Sequence, residues 1–320
     1  MKQVSSMHFS KLIFSLAFFP LLAAAFTMFV LMASLTGCSS GLKEELKNSG
    51  DVTPGLYLVS SGNGDPDNIT LRALNIIKHA DIVFCRKDAV KDFPKLLKGK
   101  QIEETSVNVH RTFMTENKAG YPEALREVQR VSGIVRSAVA EGKTVVVLDS
   151  GDPTIYGPNM WFMEVFEDLS TEIIPGVSSF NCANAALKKG IAAGEHTRSI
   201  ILSNGKDIGK LAEARTSMVF FTMHLSLQDI VANLKPHYGG DTPIAIVANA
   251  GYSDKEQIYR GTLDTILEKT KGEKLPIHLV YVGDFLTKRY GIEQAKQNLS
   301  GKKDIEPHGH EERMREGSQL

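Results

Sequence analysis

The chain has 320 residues, with 37 Lys and Arg against 37 Asp and Glu, and a formal net charge of zero offers no basic surface for nucleic acid. Its 42% hydrophobic and 23% charged content exclude a disordered or collagen-like polymer and suffice for one or two packed domains. The distribution is uneven: the first 37 residues carry only Lys2 and Lys11 as charged side chains yet hold six of the fifteen Phe and four of the ten Met, which leaves a body at net −2.

From Leu12 to Leu35 the segment LIFSLAFFPLLAAAFTMFVLMASL is uncharged, with the length of a membrane span and the texture of a secretory signal. It ends in Leu35-Thr36-Gly37-Cys38 followed by Ser39-Ser40-Gly41, which resembles the lipobox of bacterial lipoproteins. That resemblance implies a signal peptide over residues 1–37, a lipidated Cys38, and a membrane-anchored body outside the inner membrane, on the periplasmic side. An uncleaved span with the body on the cytoplasmic face is the alternative. Lys2 and Lys11 before the apolar run face Lys43 and Lys47 after it, so flanking charge does not choose between them.

Residues 38–53 read as a polar tether. A strand is predicted at Gly55 to Ser60, a helix from about Asn68 to His79 on the spacing of Ile69, Leu71, Leu74, Ile76 and Ile77, and a strand at Ile82 to Cys85. The alternation continues with a helix at Ala124 to Ala140, a strand at Thr144 to Leu148, a helix at Met160 to Phe166 and a strand at Glu172 to Ile174. Strands alternating with helices imply parallel pairing, hence an α/β domain over residues 54–174. Strands at Ser199 to Leu202, Met218 to Phe221, Ile244 to Ala248, Gln257 to Arg260 and Ile277 to Val282, with helices at Ser178 to Lys188, Leu225 to Leu234 and Leu263 to Lys269, supply a second α/β domain over 175–286. Residues 287–320 form a polar tail. Cys85 and Cys182 lie in apolar stretches and read as core thiols, and with no CxxC, HExxH or His cluster in the body no structural metal is expected.

Chemistry is expected where strands end, since ligands of open parallel sheets bind there. The first such loop runs from Ser60 through Gly62-Asn63-Gly64-Asp65-Pro66, and it lacks the GxGxxG spacing of a dinucleotide fold. The second is Asp149-Ser150-Gly151-Asp152-Pro153-Thr154-Ile155-Tyr156-Gly157 and the third Pro175-Gly176-Val177-Ser178-Ser179. Taken in this order, with Thr70-Leu71-Arg72-Ala73, Ala80-Asp81-Ile82-Val83, Phe221-Thr222-Met223, Arg260-Gly261-Thr262-Leu263 and Val282-Gly283, the series resembles the tetrapyrrole (corrin and porphyrin) methylases across roughly Pro54 to Leu286.

The resemblance implies a two-domain α/β fold with S-adenosylmethionine in the cleft between domains, a tetrapyrrole in the adjoining trough, and a C-methyltransferase activity. Dimerisation as in relatives is a further expectation. Carried over by position, Asn63, Ser150, Gly151, Asp152, Ile155, Ser178, Ser179, Met223 and Ala250 are the expected cofactor contacts. Asp65 is the candidate general base, or alternatively a cap for the helix that follows it. Arg72, Arg86 and Lys87 are candidate receivers of substrate carboxylates. The chain departs from the family pattern at Ser60, where a Gly is usual, at Asn63 in place of a Pro, at Cys85 and Arg86, and at Pro158 in place of an Arg. Those departures surround the trough, and with the export leader they carry a second reading: a tetrapyrrole-binding lipoprotein that reuses the fold without catalysis.

Overall fold

The computed structural model describes residues 52–104, 107–114, 119–194, 199–287, 295–296 and 299–300. The leader, Cys38, most of the tether and most of the tail lie outside the described residues. Two five-stranded sheets account for the rest.

The first sheet has the order β3-β2-β4-β1-β5, all parallel, from β1 (Gly55–Ser60), β2 (Ile82–Cys85), β3 (Gln101–Glu104), β4 (Thr144–Asp149) and β5 (Thr171–Ile174). Its inner strands are continuous apolar runs because both faces are covered. Leu56, Leu58, Phe84, Val145 and Val147 point to α4 (Tyr121–Ala140) and α5 (Trp161–Val165), while Tyr57, Val59, Val83, Val146 and Leu148 point to α1 (Leu71–His79). The period-2 alternation of side chains thus feeds two cores from one run of residues. Helix α1 starts at Leu71 rather than near Asn68 because the Thr70 hydroxyl accepts the N–H of Ala73 at 3.1 Å as an N-cap, after a 3-10 turn at Pro66–Asn68.

Sequence patterning passes over β3 and three helices, α2 (Ala89–Asp92), α3 (Val107–Met114) and α7 (Ile208–Ala212). The edge strand β3 reads Gln-Ile-Glu-Glu and carries no apolar run, since only its inner neighbour needs covering.

The second sheet has the order β6-β7-β10-β8-β9, from β6 (Ile200–Ser203), β7 (Ser217–Phe221), β8 (Pro243–Ala248), β9 (Gln257–Thr262) and β10 (His278–Val282). Only β6 and β7 pair in parallel; β7 with β10, β10 with β8, and β8 with β9 are antiparallel. Strand and helix alternation does not signal this. The short stretch between β8 and β9 has no helix to carry a parallel crossover, so the chain turns straight back. Helices α7, α8 (Leu227–Leu234) and α9 (Ile266–Lys269) cover one face of this sheet. The other face takes α6 (Ser179–Leu187), whose Phe180 packs into the same cluster as Ile155 and Val177 from the loops after β4 and β5. That cluster joins the two halves.

Phe162 is fully buried in the first core, its ring centroid 5.5 Å from that of Phe84 and 4.0 Å from that of Trp161. Phe162→Ala should lower stability by about 3–5 kcal/mol, read as a shift in the urea unfolding midpoint with unchanged slope; a loss under 1 kcal/mol would mean that the site collapses without a cavity.

Candidate functional site

In the first sheet β1 connects to β2 past β4, and β4 connects on to β5 past β1, so the loops after these adjacent strands leave toward opposite faces at the carboxyl ends of the strands, where ligands of open parallel sheets bind. The loops after β1, β4 and β5 meet there by direct contact. Gly62 and Gly151 form an isolated antiparallel bridge, with the N–H of Gly151 donating to the Gly62 carbonyl at 2.8 Å. Ser60, fully buried, donates its hydroxyl to the Gly151 carbonyl at 2.5 Å and accepts the N–H of Gly62 at 3.0 Å. A Cβ on Gly176 would fall 2.0 Å from that hydroxyl oxygen, so the third loop can approach only as glycine. Ser60, where the family usually has Gly, therefore braces all three loops.

The first loop also reaches the second sheet. The Asn63 amide donates to the Ala250 carbonyl at 2.6 Å, the N–H of Asp65 donates to the Gly251 carbonyl at 2.9 Å, and Asn68 donates to the Asn63 carbonyl at 2.9 Å. Gly64, with φ +86°, lies flat on this turn: a Cβ there would sit 2.1 Å from the Gly251 oxygen. Asn63 and Ala250, both expected cofactor contacts, are bonded to one another.

The Asp65 carboxylate accepts the N–H of Ser253 at 2.9 Å. The Ser253 hydroxyl, that N–H and nearby Lys255 hold it below the usual carboxylate range, with the hydroxyl contributing most. It caps no helix with its side chain. The cap expected of its side chain is therefore not made, and in the structure the carboxylate fastens the first loop to the second sheet.

Ser178 is the N-cap of α6. Its hydroxyl accepts the N–H of Asn181 at 3.4 Å within a capping box closed by the Asn181 side chain, and the residue is 2% exposed. The hydroxyl is committed to the helix, so what this helix start presents to the crevice is backbone N–H at Ser179 and Phe180. Asp152 turns one carboxylate oxygen onto its own loop, accepting from the Thr154 N–H at 2.8 Å and hydroxyl at 2.6 Å. Ser150 is exposed, while Gly151 is buried, and a Cβ there would meet the backbone of Ser178 and Ser179 at ordinary contact distances of 3.8 and 3.9 Å. Ile155 packs into the cluster that joins the halves, and Met223 is 61% exposed beyond β7, outside that cluster.

The three candidate carboxylate receivers are exposed and paired: Arg72 with Glu172, Arg86 with Asp88 at 2.5 Å, and Lys87 with Glu104 at 3.0 Å. Arg86 and Lys87 leave the end of β2, beside β4, whereas Arg72, at the start of α1, is tied to β5, beside β1. Among the described residues no group of His, Cys, Asp or Glu is placed to hold a metal ion, and Cys85 and Cys182 are both free and buried.

Two residues beyond the expected contacts also shape the site, one of them, Tyr156, within the second loop's motif. Tyr156, in the left-handed region at φ 59°, places its ring 4.9 Å from Phe221 and its hydroxyl 3.4 Å from the Leu202 carbonyl, bridging the halves. Asp149 ends β4 at 5% exposure, and burial pushes its carboxyl up to about 6 against the pull of the Asn159 and Ser150 N–H groups and of Arg86. At the end of a Val-Val-Val-Leu-Asp run it reads as the first polar residue of a solvated loop, and only the packing of 150–159 across it shows otherwise.

Comparison with known proteins agrees with this geometry. The family described as Tetrapyrrole (Corrin/Porphyrin) Methylases matches residues 55–267. The cobalt-precorrin-4 C(11)-methyltransferase of Methanocaldococcus jannaschii is 30% identical over 251 residues, covering 73% of this chain and 89% of that protein. A solved cobalt precorrin-4 methyltransferase of cobalamin biosynthesis shares the fold at a TM-score of 0.60 and 23% identity, over 73% of this chain and 96% of the other. The uroporphyrin-III C-methyltransferase of Thermus thermophilus, solved with S-adenosyl homocysteine, does so at a TM-score of 0.51 and 20% identity, over 72% and 98%. The match across 55–267 takes in the first sheet, four of the five strands of the second and all three loops of the crevice, and the chain belongs to the tetrapyrrole methylase family.

Proposed function

We propose that the crevice binds S-adenosylmethionine and that the protein transfers its methyl group to a carbon of a precorrin-like tetrapyrrole. The observation that carries this reading is the convergence of the three strand-end loops and the Ala250–Gly251 turn on one place. The residues present suit the cofactor. The N–H groups at the start of α6 and the exposed Ser150, with the backbone of Gly151 beside them, offer donors for an amino acid carboxylate and a ribose. When bound, the cofactor supplies a methyl already activated on a sulfonium. The chain's part is to align that methyl with the ring carbon and to keep water out. Tyr156, Phe221 and Ile155 close the crevice against water where the halves meet. Arg86 and Lys87 stand at its edge in surface ion pairs that cost little to exchange for substrate carboxylates. The precorrin-4 enzyme from Methanocaldococcus jannaschii, aligned over nearly its whole length, favours a corrin precursor as the macrocycle.

A membrane tether through a lipidated Cys38, with the body on the periplasmic side, belongs to the same proposal. It is supported by the uncharged run from Leu12 to Leu35 and its ending Leu35-Thr36-Gly37-Cys38. Among the described residues no helix is long and apolar enough to cross a membrane.

Calorimetric titration of the full chain with S-adenosylhomocysteine should show one saturable site, and Gly64→Val should weaken it at least about tenfold by forcing the first loop off Gly251. No heat at millimolar ligand would refute the cofactor reading. Incubation with S-adenosylmethionine and precorrin-4 should add one methyl to the macrocycle by mass spectrometry. For the tether, intact-protein mass spectrometry of the membrane fraction should find a diacylglyceryl Cys38 as the first residue; an N-terminus at Met1 would reject it.

A further inference from the structure

Helix α4 outruns the sheet it covers. It lies along β4 and β1 and brings the chain back from the carboxyl edge of the sheet to the start of β4. From Ala140 back to Val128 the helix rises about 18 Å, which matches the about 20 Å of six-residue strands such as β1 and β4. The core marks the same limit, since it takes residues of α4 from Val128 onward and none before. Residues 121–127 therefore project about 10 Å past the strand ends. That places them over the origin of the loops after β1 and β4.

The projecting stretch keeps an apolar face. Tyr121, Leu125 and Val128 follow at i, i+4 and i+7, a single stripe of the helix, and Val128 at its lower end packs into the first core. Above the strand ends the same stripe has no sheet against it: Tyr121 is 51% and Leu125 41% exposed. Phe113, from the flanking helix α3, is 39% exposed, with its ring edge-on to that of Tyr121 at 5.6 Å between centroids. Ala124 and Thr112 on the same two helices are buried, so the rings stand on packed helices and not on a loop.

This wall adjoins the place where the three loops meet. On the strand end next to β4 stand the exposed cations Arg86 and Lys87. An apolar wall bordered by cations complements a broad ring with an apolar face and carboxylates around its rim. A second copy of the chain fits less well, because three half-exposed side chains fall far short of the roughly 800 Å² per partner of a stable interface.

We propose that Phe113, Tyr121 and Leu125 form the wall that receives the apolar face of the macrocycle and selects a substrate of that breadth. The cofactor, held by the backbone of the loops, does not touch it.

The proposal rests on the tetrapyrrole reading above, and its test keeps the two apart. The probe is cobyrinic acid, a stable corrin with carboxylates on its rim. The readout is quenching of Trp161, the one tryptophan of the chain, which is buried in the core on which α4 rests. In the full chain, Tyr121→Ser with Leu125→Ser alters exposed positions, so Tm should stay within about 2 °C. The Kd for the corrin should rise at least about tenfold, while that for S-adenosylhomocysteine, by calorimetry, should change less than about twofold. Tyr121→Phe keeps the ring and should bind the corrin as the native chain does. If the double variant does not fold, Leu125→Ser alone carries the test, with an expected rise of about threefold.

Unchanged corrin affinity in the variant would overturn the proposal. A matching loss of S-adenosylhomocysteine affinity would overturn it as well, by making these side chains supports of the whole crevice. So would a native dimer that the double variant splits in sedimentation while corrin affinity holds, which would give the face to a second copy. A native chain that binds S-adenosylhomocysteine but no corrin refutes the wall and leaves the cofactor reading standing. One that binds the corrin through these side chains but no S-adenosylhomocysteine does the reverse.

Discussion

The backbone of Gly64 rests on the backbone of Gly251, with no room for a side chain between them, and the cleft depends on that contact. It places the first loop of the parallel sheet against the turn after β8 in the second sheet. Around it are fixed the Asn63–Ala250 bond, the Asp65–Ser253 bond and the bonds from Asn68. Backbone contact of this kind is stiff, because no rotamer can absorb a shift. The loops after β4 and β5 then take their positions from the first loop through Ser60, so one close approach sets the spacing of the crevice walls.

The polar side chains nearest the crevice are largely occupied with holding it. Ser178 caps its helix, Asp152 turns back on Thr154, Asp65 fastens the halves, and Asn63 spans them. A site built this way recognises through backbone N–H groups and shape, which cost no side-chain entropy to preorganise. The division also explains how the chain tolerates Ser60 and Asn63 where relatives carry Gly and Pro. Each departure adds a hydrogen bond that reinforces a contact the loops already make.

Most of the fold was legible because its inner strands are buried on both faces. Runs such as Leu-Tyr-Leu-Val and Val-Val-Val-Leu leave no other reading, and their boundaries in sequence and structure agree within a residue or two. The antiparallel pairing of the second sheet was not legible, since strand spacing is silent on direction when β10 inserts between β7 and β8. Of the site, the three loops could be read from their glycine and proline spacing. The assignments of individual side chains could not, because Ser178 and Asp65 look alike as ligand donors or as braces until their partners are seen. Asp149 was invisible for the opposite reason: a carboxylate at a strand end ordinarily faces water, and only a loop folded across it makes it a buried charge.

That buried charge sets stability against function at one position. An apolar or neutral side chain under the Gly-Asp-Pro loop would relieve the desolvation of a carboxylate whose cationic neighbour, Arg86, is engaged with Asp88. With the carboxylate present, the loop rests on a charge that only neutral donors and a distant, engaged cation compensate. The body's small net negative charge works in the same direction. It provides no general field to draw in a polycarboxylate, so encounter with one would be left to the few cations at the end of β2.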